Sequence, residues 1–166
     1  MCEFKSAIVT RQGNVLHHDM TDLHEDLIAY FGLRDDNHLN HFVRVEFKPT
    51  DKKDYADLSK YSLVVDEDEV PKWFEEFREK TISELTKIVS KYILKDVDKK
   101  IILDGCWIVT GATKIERMTA GRILTVSDSA KIDYVSGSAK IGNVSDSAKI
   151  GNVYDSAKIV NDKRIK

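Results

Sequence analysis

Cysteine is nearly absent from this chain, and so is any long apolar run. Only Cys2 and Cys106 occur among 166 residues, a number and spacing that give neither a disulfide framework nor a zinc cluster. A reduced, cytoplasmic protein is the expectation. No apolar stretch approaches the roughly 18 residues that a membrane span requires. The opening MCEFKSAIVTRQG lacks the basic head and apolar block of a secretory signal. A large charge of one sign is lacking too: the formal net charge is −2, which predicts no bulk attraction to nucleic acid. There is no phosphate-binding loop, no dinucleotide fingerprint, no serine-hydrolase elbow, and no aromatic–basic interleaving of an RNA-binding sheet. Neither a cofactor nor a metal is expected.

What is present is a soluble composition, 42% hydrophobic and 33% charged, and it is unevenly spread. Residues 109–166 carry ten basic and six acidic side chains, a net of +4, which leaves −6 for the rest of a chain that totals −2. An acidic front and a mildly basic tail imply two units. The tail is a repeat. From Val126 it reads VSDSAKIDY, VSGSAKIGN, VSDSAKIGN, VYDSAKIVN. A decayed copy, VTGATKI, begins at Val109, and one residue is missing before Val126. Internal periods of this kind signal stacked architectures.

In each unit the apolar positions are Val at 1, Ala at 5 and Ile at 7, so alternation along an extended chain can point all three inward. Asp or Gly at position 3 and Gly-Asn at 8 and 9 read as turn chemistry. One unit is too short to bury its own face, but stacked units bury a continuous core. Two nines per coil give an 18-residue turn with two parallel sheets, resembling a β-roll; three sides are the alternative. The glycine–aspartate pattern of calcium-binding nonapeptides is lacking. The fold expected is therefore an acidic α+β domain over residues 1–100 followed by a parallel β-solenoid over 101–166, clearest from 109 to 165. Val126, Ile132, Val135, Ile141, Val144, Ile150, Val153 and Ile159 should be buried. Lys131, Lys140, Lys149 and Lys158 should be exposed and form ladders, as should Ser129, Ser138, Ser147 and Ser156. Such a surface either grips phosphate, glycan or ice or simply repeats its solvated residues, with Asp128, Asp146 and Asp155 offsetting the lysine charge.

In the front part, residues 4–16 read as a hairpin around Gln12-Gly13-Asn14. Thr21 or Asp22 can cap a helix through about Phe31, ended by Gly32. HFVRVEFK is a strand with Val43, Val45 and Phe47 on one face, and residues 61–65 form another. Pro71 opens the longest helix, expected to reach Leu94 on a stripe of Phe74, Phe77, Leu85, Ile88 and Tyr92. Strands covered by helices make an α+β sandwich.

Chemistry has three candidate seats. Cys2, exposed at the N-terminus once the initiator Met is removed, is a candidate nucleophile with its own amine as base. Such residues serve class II glutamine amidotransferases and enzymes that crosslink to abasic DNA, both of which follow the Cys with Gly where this chain has Glu3. His17, His18, His24, His38 and His41 fall within 25 residues, near Asp19, Asp22, Glu25 and Asp26, but match no metal motif and read as surface histidines. Asp66, Glu67, Asp68 and Glu69 precede the long helix, where they complement its dipole and form a candidate patch for a basic partner.

The segments MCEFKSAIV, HEDLIAYFG, FVRVEF and VVDEDEVPKWF, with the VxxSAKI nonapeptides, resemble small proteins of phages, prophages and mobile elements along nearly the whole chain. That resemblance carries no catalytic residues over. It implies an accessory factor, in the host-cell cytoplasm, that binds a host protein. A non-catalytic binding or scaffold protein, monomeric or a discrete homodimer, is the leading expectation. A Cys2-dependent amidohydrolase-like enzyme and a polyanion binder using the basic solenoid face are the alternatives.

Overall fold

The computed structural model describes residues 4–164. The chain divides into two compact units, one ending at Ser90 and the other starting at Lys91. The first holds strands β1 (Lys5–Thr10), β2 (Val15–Leu16), β3 (Phe42–Pro49) and β4 (Tyr61–Val65), with helices α1 (His24–Tyr30) and α2 (Arg78–Ser90). The strands form one antiparallel sheet in the order β2-β1-β3-β4. The expected hairpin is present. Its turn needs Gly13, whose φ is +76° and whose absent Cβ would lie 2.4 Å from the Phe77 ring.

β1 lies inside the sheet, so Lys5 through Val9 are all buried. On one face Ile8 packs with Leu27 of α1 and with Phe42, and Leu16, Ile28, Phe31 and Leu33 border them. α1 begins later than capping logic suggests. Leu23 is its N-cap residue and no side chain caps it, because Asp22 is drawn to Lys5 (3.2 Å) while the Thr21 hydroxyl donates to Asp26 (2.7 Å).

The long helix is shorter than its stripe implies. Residues Lys72–Phe77 form a 3-10 segment, α2 follows, and the helix stops at Ser90. Phe74, Thr81, Leu85 and Val89 are its buried positions. Ile93, at helical spacing, belongs instead to a strand. Pairing with a neighbour satisfies its backbone better than one more helical turn would, which is tertiary structure overriding propensity.

The second unit is a β-solenoid that starts at Ile93, ahead of the boundary drawn at residue 101. Strands β5 (Ile93–Lys95), β7 (Cys106–Thr110), β9 (Arg122–Val126), β11 (Lys140–Val144) and β13 (Lys158–Asp162) form one parallel sheet. Strands β6 (Asp98–Ile102), β8 (Lys114–Met118), β10 (Lys131–Val135) and β12 (Lys149–Val153) form the other. The coil is two-sided, and the three-sided alternative is excluded. Lys131 pairs with Lys149 and Lys140 with Lys158, an offset of two nines. Earlier coils are tighter: Lys114 pairs with Lys131, Asp98 with Lys114 and Ile93 with Ile108. The missing residue falls in the turn between β8 and β9.

Inside, side chains stack in columns. Val109, Val126 and Val144 form one, and Ile102, Met118, Val135 and Val153 another. Ala130, Ala139 and Ala148 are buried at the corners. Position 3 of each repeat is left-handed: Asp128, Asp146 and Asp155 have φ near +56° to +59°, and Gly137 +61°. Asp tolerates this conformation better than most residues. Gly142-Asn143 and Gly151-Asn152, expected in turns, lie inside strands. Their glycines answer to crowding. A Cβ on Gly142 would sit 2.5 Å from the Leu124 carbonyl oxygen, and one on Gly151 2.3 Å from that of Asp133.

Burial follows the expected core through Val144 and then relaxes. Ile150 and Ile159 are half-buried and Val153 is 40% exposed. The reason is position. These residues belong to the last coil, where no further described coil covers them. Ile165 lies outside the described residues.

Candidate functional site

In the first unit two of the five histidines, His24 and His38, are brought together with the acidic run, while His17 lies beside Asp19 and His18 against Tyr30. β3 and β4 pair so that Arg44 lies opposite Asp66, whose N–H donates to the Arg44 carbonyl (2.9 Å). The chain then turns and Glu67 folds inward. Its carboxylate accepts from the Arg44 backbone N–H (2.9 Å) and from His38 Nε2 (2.8 Å). The Glu67 side chain is only 5% exposed. Arg44 also reaches Asp35, which sits 3.4 Å from His38 Nδ1. His24, expected at the surface, is buried. Its Nε2 lies 3.1 Å from the Val45 carbonyl and its Nδ1 3.2 Å from Asp66. Both ring nitrogens of His24 and of His38 therefore face acceptors. Asp66 and Glu67 are fasteners that hold the segment after β4, while Asp68 and Glu69 are exposed.

Around this clamp a shallow polar cleft is lined by Arg44, Val65, Asp66, Glu67 and Asp68. Beside it runs the outer edge of β4. Because the Asp66 N–H bonds β3, alternation turns Ser62 and Val64 toward β3 and leaves the N–H and C=O groups of Leu63 and Val65 pointing away. Val64 is an exposed apolar side chain on this strand.

A second polar cluster lies at the start of β1. Lys5 is buried, donates to the His18 carbonyl (2.7 Å) and pairs with Asp22. Burial lifts the Asp22 carboxyl above its ordinary value, and the Lys5 ammonium pulls it the other way. Cys2, the candidate nucleophile, lies outside the described residues. Among the described residues no three His, Cys, Asp or Glu side chains gather as a metal cluster, and no helix is long and apolar enough to cross a membrane.

On the solenoid the four lysines are exposed and form ladders, one on each sheet. Lys131 and Lys149 stack with Lys114 on one sheet; Lys140 and Lys158 stack with Arg122 on the other. Within the near-identical repeats each sheet therefore carries one such lysine per coil, although β8 adds the exposed Arg117 beside Lys114, and Lys131 is paired with Asp133 at 2.6 Å. The repeat aspartates are structural. Asp128 accepts from the Thr110 hydroxyl (2.5 Å) and the Gly111 N–H (3.0 Å) of the preceding coil, which holds its carboxyl below the usual range. Asp155 likewise accepts from the Gly137 N–H. Stitching between coils was not legible, because a left-handed Asp reads equally well as a plain turn residue.

No protein-family model matches this chain, and comparisons with curated proteins and with solved structures find no match.

Proposed function

We propose that this protein is a non-catalytic binding or scaffolding factor, carried by a phage or prophage, that engages a host protein along the edge of β4. The observation that carries the reading is the open edge itself. Among the described residues β4 ends its sheet and no strand pairs with the outward-facing donors and acceptors of Leu63 and Val65, and Val64 adds an exposed apolar contact. An extended peptide can join such an edge as a further strand. Asp68 and Glu69, exposed where the strand ends, favour a partner segment rich in Lys and Arg. The clamp of Glu67 on His38 and Arg44 keeps that acidic corner in place.

The test is affinity capture from host lysate with the full chain. A partner should be retained by the wild type and lost with Leu63→Pro, which removes an outward-facing N–H that takes no part in the β3 ladder; circular dichroism checks the fold, since the half-buried Leu63 side chain is lost as well. Reversing charge with Asp68→Lys and Glu69→Lys should weaken capture about tenfold or more at low salt and less at high salt. Capture indifferent to both changes would overturn the assignment. The split lysine ladders halve the charge density available to a polyanion on either face, so a salt-sensitive shift of DNA or RNA is the outcome that would favour that alternative.

A further inference from the structure

Both histidines of the clamp are held by groups that only accept. His38 Nε2 lies 2.8 Å from a Glu67 carboxylate oxygen, and its Nδ1 lies 3.2 Å from the Asp35 carbonyl. His24 Nε2 lies 3.1 Å from the Val45 carbonyl, and its Nδ1 lies 3.2 Å from Asp66. A carbonyl and an ionised carboxylate have no proton to give, whereas a neutral imidazole donates from one nitrogen and offers a lone pair at the other. A neutral ring at either place therefore turns a lone pair toward an oxygen. His24 and the Glu67 side chain are each only 5% exposed, so water has little room to repair that mismatch. Doubly protonated, each ring satisfies both of its neighbours.

The charges around the rings point the same way. Among the described residues the ionisable groups facing the rings are Asp35, from the loop before β3, and Asp66 and Glu67, from the segment after β4. Arg44 of β3 is the cation set among them, reaching Asp35 and lying 3.7 Å from Glu67. The exposed Asp68 lines the same cleft. One guanidinium against the three facing carboxylates leaves the corner two positive charges short, and two imidazolium rings supply them.

We propose that His24 and His38 are a pH-operated latch: each doubly protonated ring fastens one acidic residue of the segment after β4, and loss of one proton from each ring loosens Asp66 and Glu67. Histidine is the side chain whose charge ordinarily changes between about pH 5 and 8. Within that window acid closes the corner and base loosens it. The ladder between β3 and β4 does not use the rings, so release frees the acidic segment without dissolving the sheet. The inference is independent of what β4 binds, since its readout is ring protonation and backbone protection rather than partner capture.

The experiment follows the full-length protein by NMR from about pH 5.5 to about pH 8. Histidine-selective nitrogen labelling reads the state of each ring. At the acid end His24 and His38 should each show two protonated nitrogens, and at the basic end one. Amide exchange, corrected for its intrinsic dependence on pH, reads the corner through the Arg44 N–H that Glu67 accepts. Protection of that amide in the wild type should fall about tenfold across the range, the worth of one hydrogen bond to a charged group. In His38→Gln and in Glu67→Gln it should stay flat. A neutral His24 or His38 at the acid end, with the wild type folded, overturns the proposal, and this reading needs no variant to fold. So does wild-type protection that does not change with pH, or a loss that His38→Gln shares in full.

Discussion

Two aspartates in this molecule respond to acid in opposite directions. Asp22 is buried beside Lys5, and burial raises its affinity for a proton in the folded state. Its favourable contribution is therefore fully present below the ordinary value of 3.8 and disappears as pH rises through the raised folded value. At neutral pH the ionised carboxylate is tolerated because Lys5 lies 3.2 Å away. Lys5→Met should accordingly cost about 3–5 kcal/mol in urea unfolding, the usual penalty for stranding one member of a buried pair, while Lys5→Met with Asp22→Leu should recover most of it. Asp128 behaves in the reverse sense. The Thr110 hydroxyl and the Gly111 N–H lower its carboxyl, so its contribution is present above 3.8 and is lost as pH falls through the lowered folded value. Asp128→Asn keeps a residue suited to the left-handed backbone. The stability gap between it and the wild type should shrink as the solution is acidified below 3.8. A gap that stayed constant with pH would mean the carboxylate charge is irrelevant to the stitch.

At the level of the coil, position along the stack sets how much a core residue matters. Ile141 is fully buried between Ile123 and Ile159. Ile141→Asp places a charge in a dry stack and should unfold the solenoid, seen as loss of its β signal in circular dichroism. Ile159→Asp makes the same chemical change in the half-buried last coil and should leave the coils before it folded. Equal damage at both sites would contradict the column geometry. Gly142→Ala is a sharper probe of coil spacing. The new methyl meets the Leu124 carbonyl oxygen at 2.5 Å, backbone that cannot swing away, so a loss of about 1–3 kcal/mol is expected from overpacking alone.

For the whole molecule the expected state is a discrete species. Asp162, Lys163 and Arg164 place charge after the last apolar position of the described repeats, so light scattering of the wild type should give one mass, monomer or closed dimer, across a concentration series. Mass that keeps climbing would show that Asp162 and its neighbours do not block the end. The repeat lysines follow one another at the strand spacing of about 4.8 Å, partly neutralised as at Lys131 and Asp133. Raising salt should therefore change the solution behaviour of the wild type little.

The solenoid was legible in the residues because its physics is local and repeated. A nine-residue unit with Val, Ala and Ile at odd positions has few ways to hide them, and identical units favour the same solution, so stacked coils and exposed lysines follow from the spacing, while the choice of two sides over three was made by the structure. The front hairpin and the β3 strand were legible for the same reason, since alternation and a Gly-centred turn are short-range signals. Only tertiary structure decided where α2 stops, because Tyr92 and Ile93 continue a helical stripe and the competing strand pairing with β7 is formed by residues fifteen positions on. The clamp was equally hidden: His24 and Asp66 stand 42 positions apart in the chain, and only the packing of α1 on the sheet together with the pairing of β3 and β4 sets them 3.2 Å from each other. The order of side chains along the chain specified which surfaces could be buried. Which distant polar groups would meet was left to the sheet that joins them, since a hydrogen bond depends on a few ångströms of placement that no local pattern encodes.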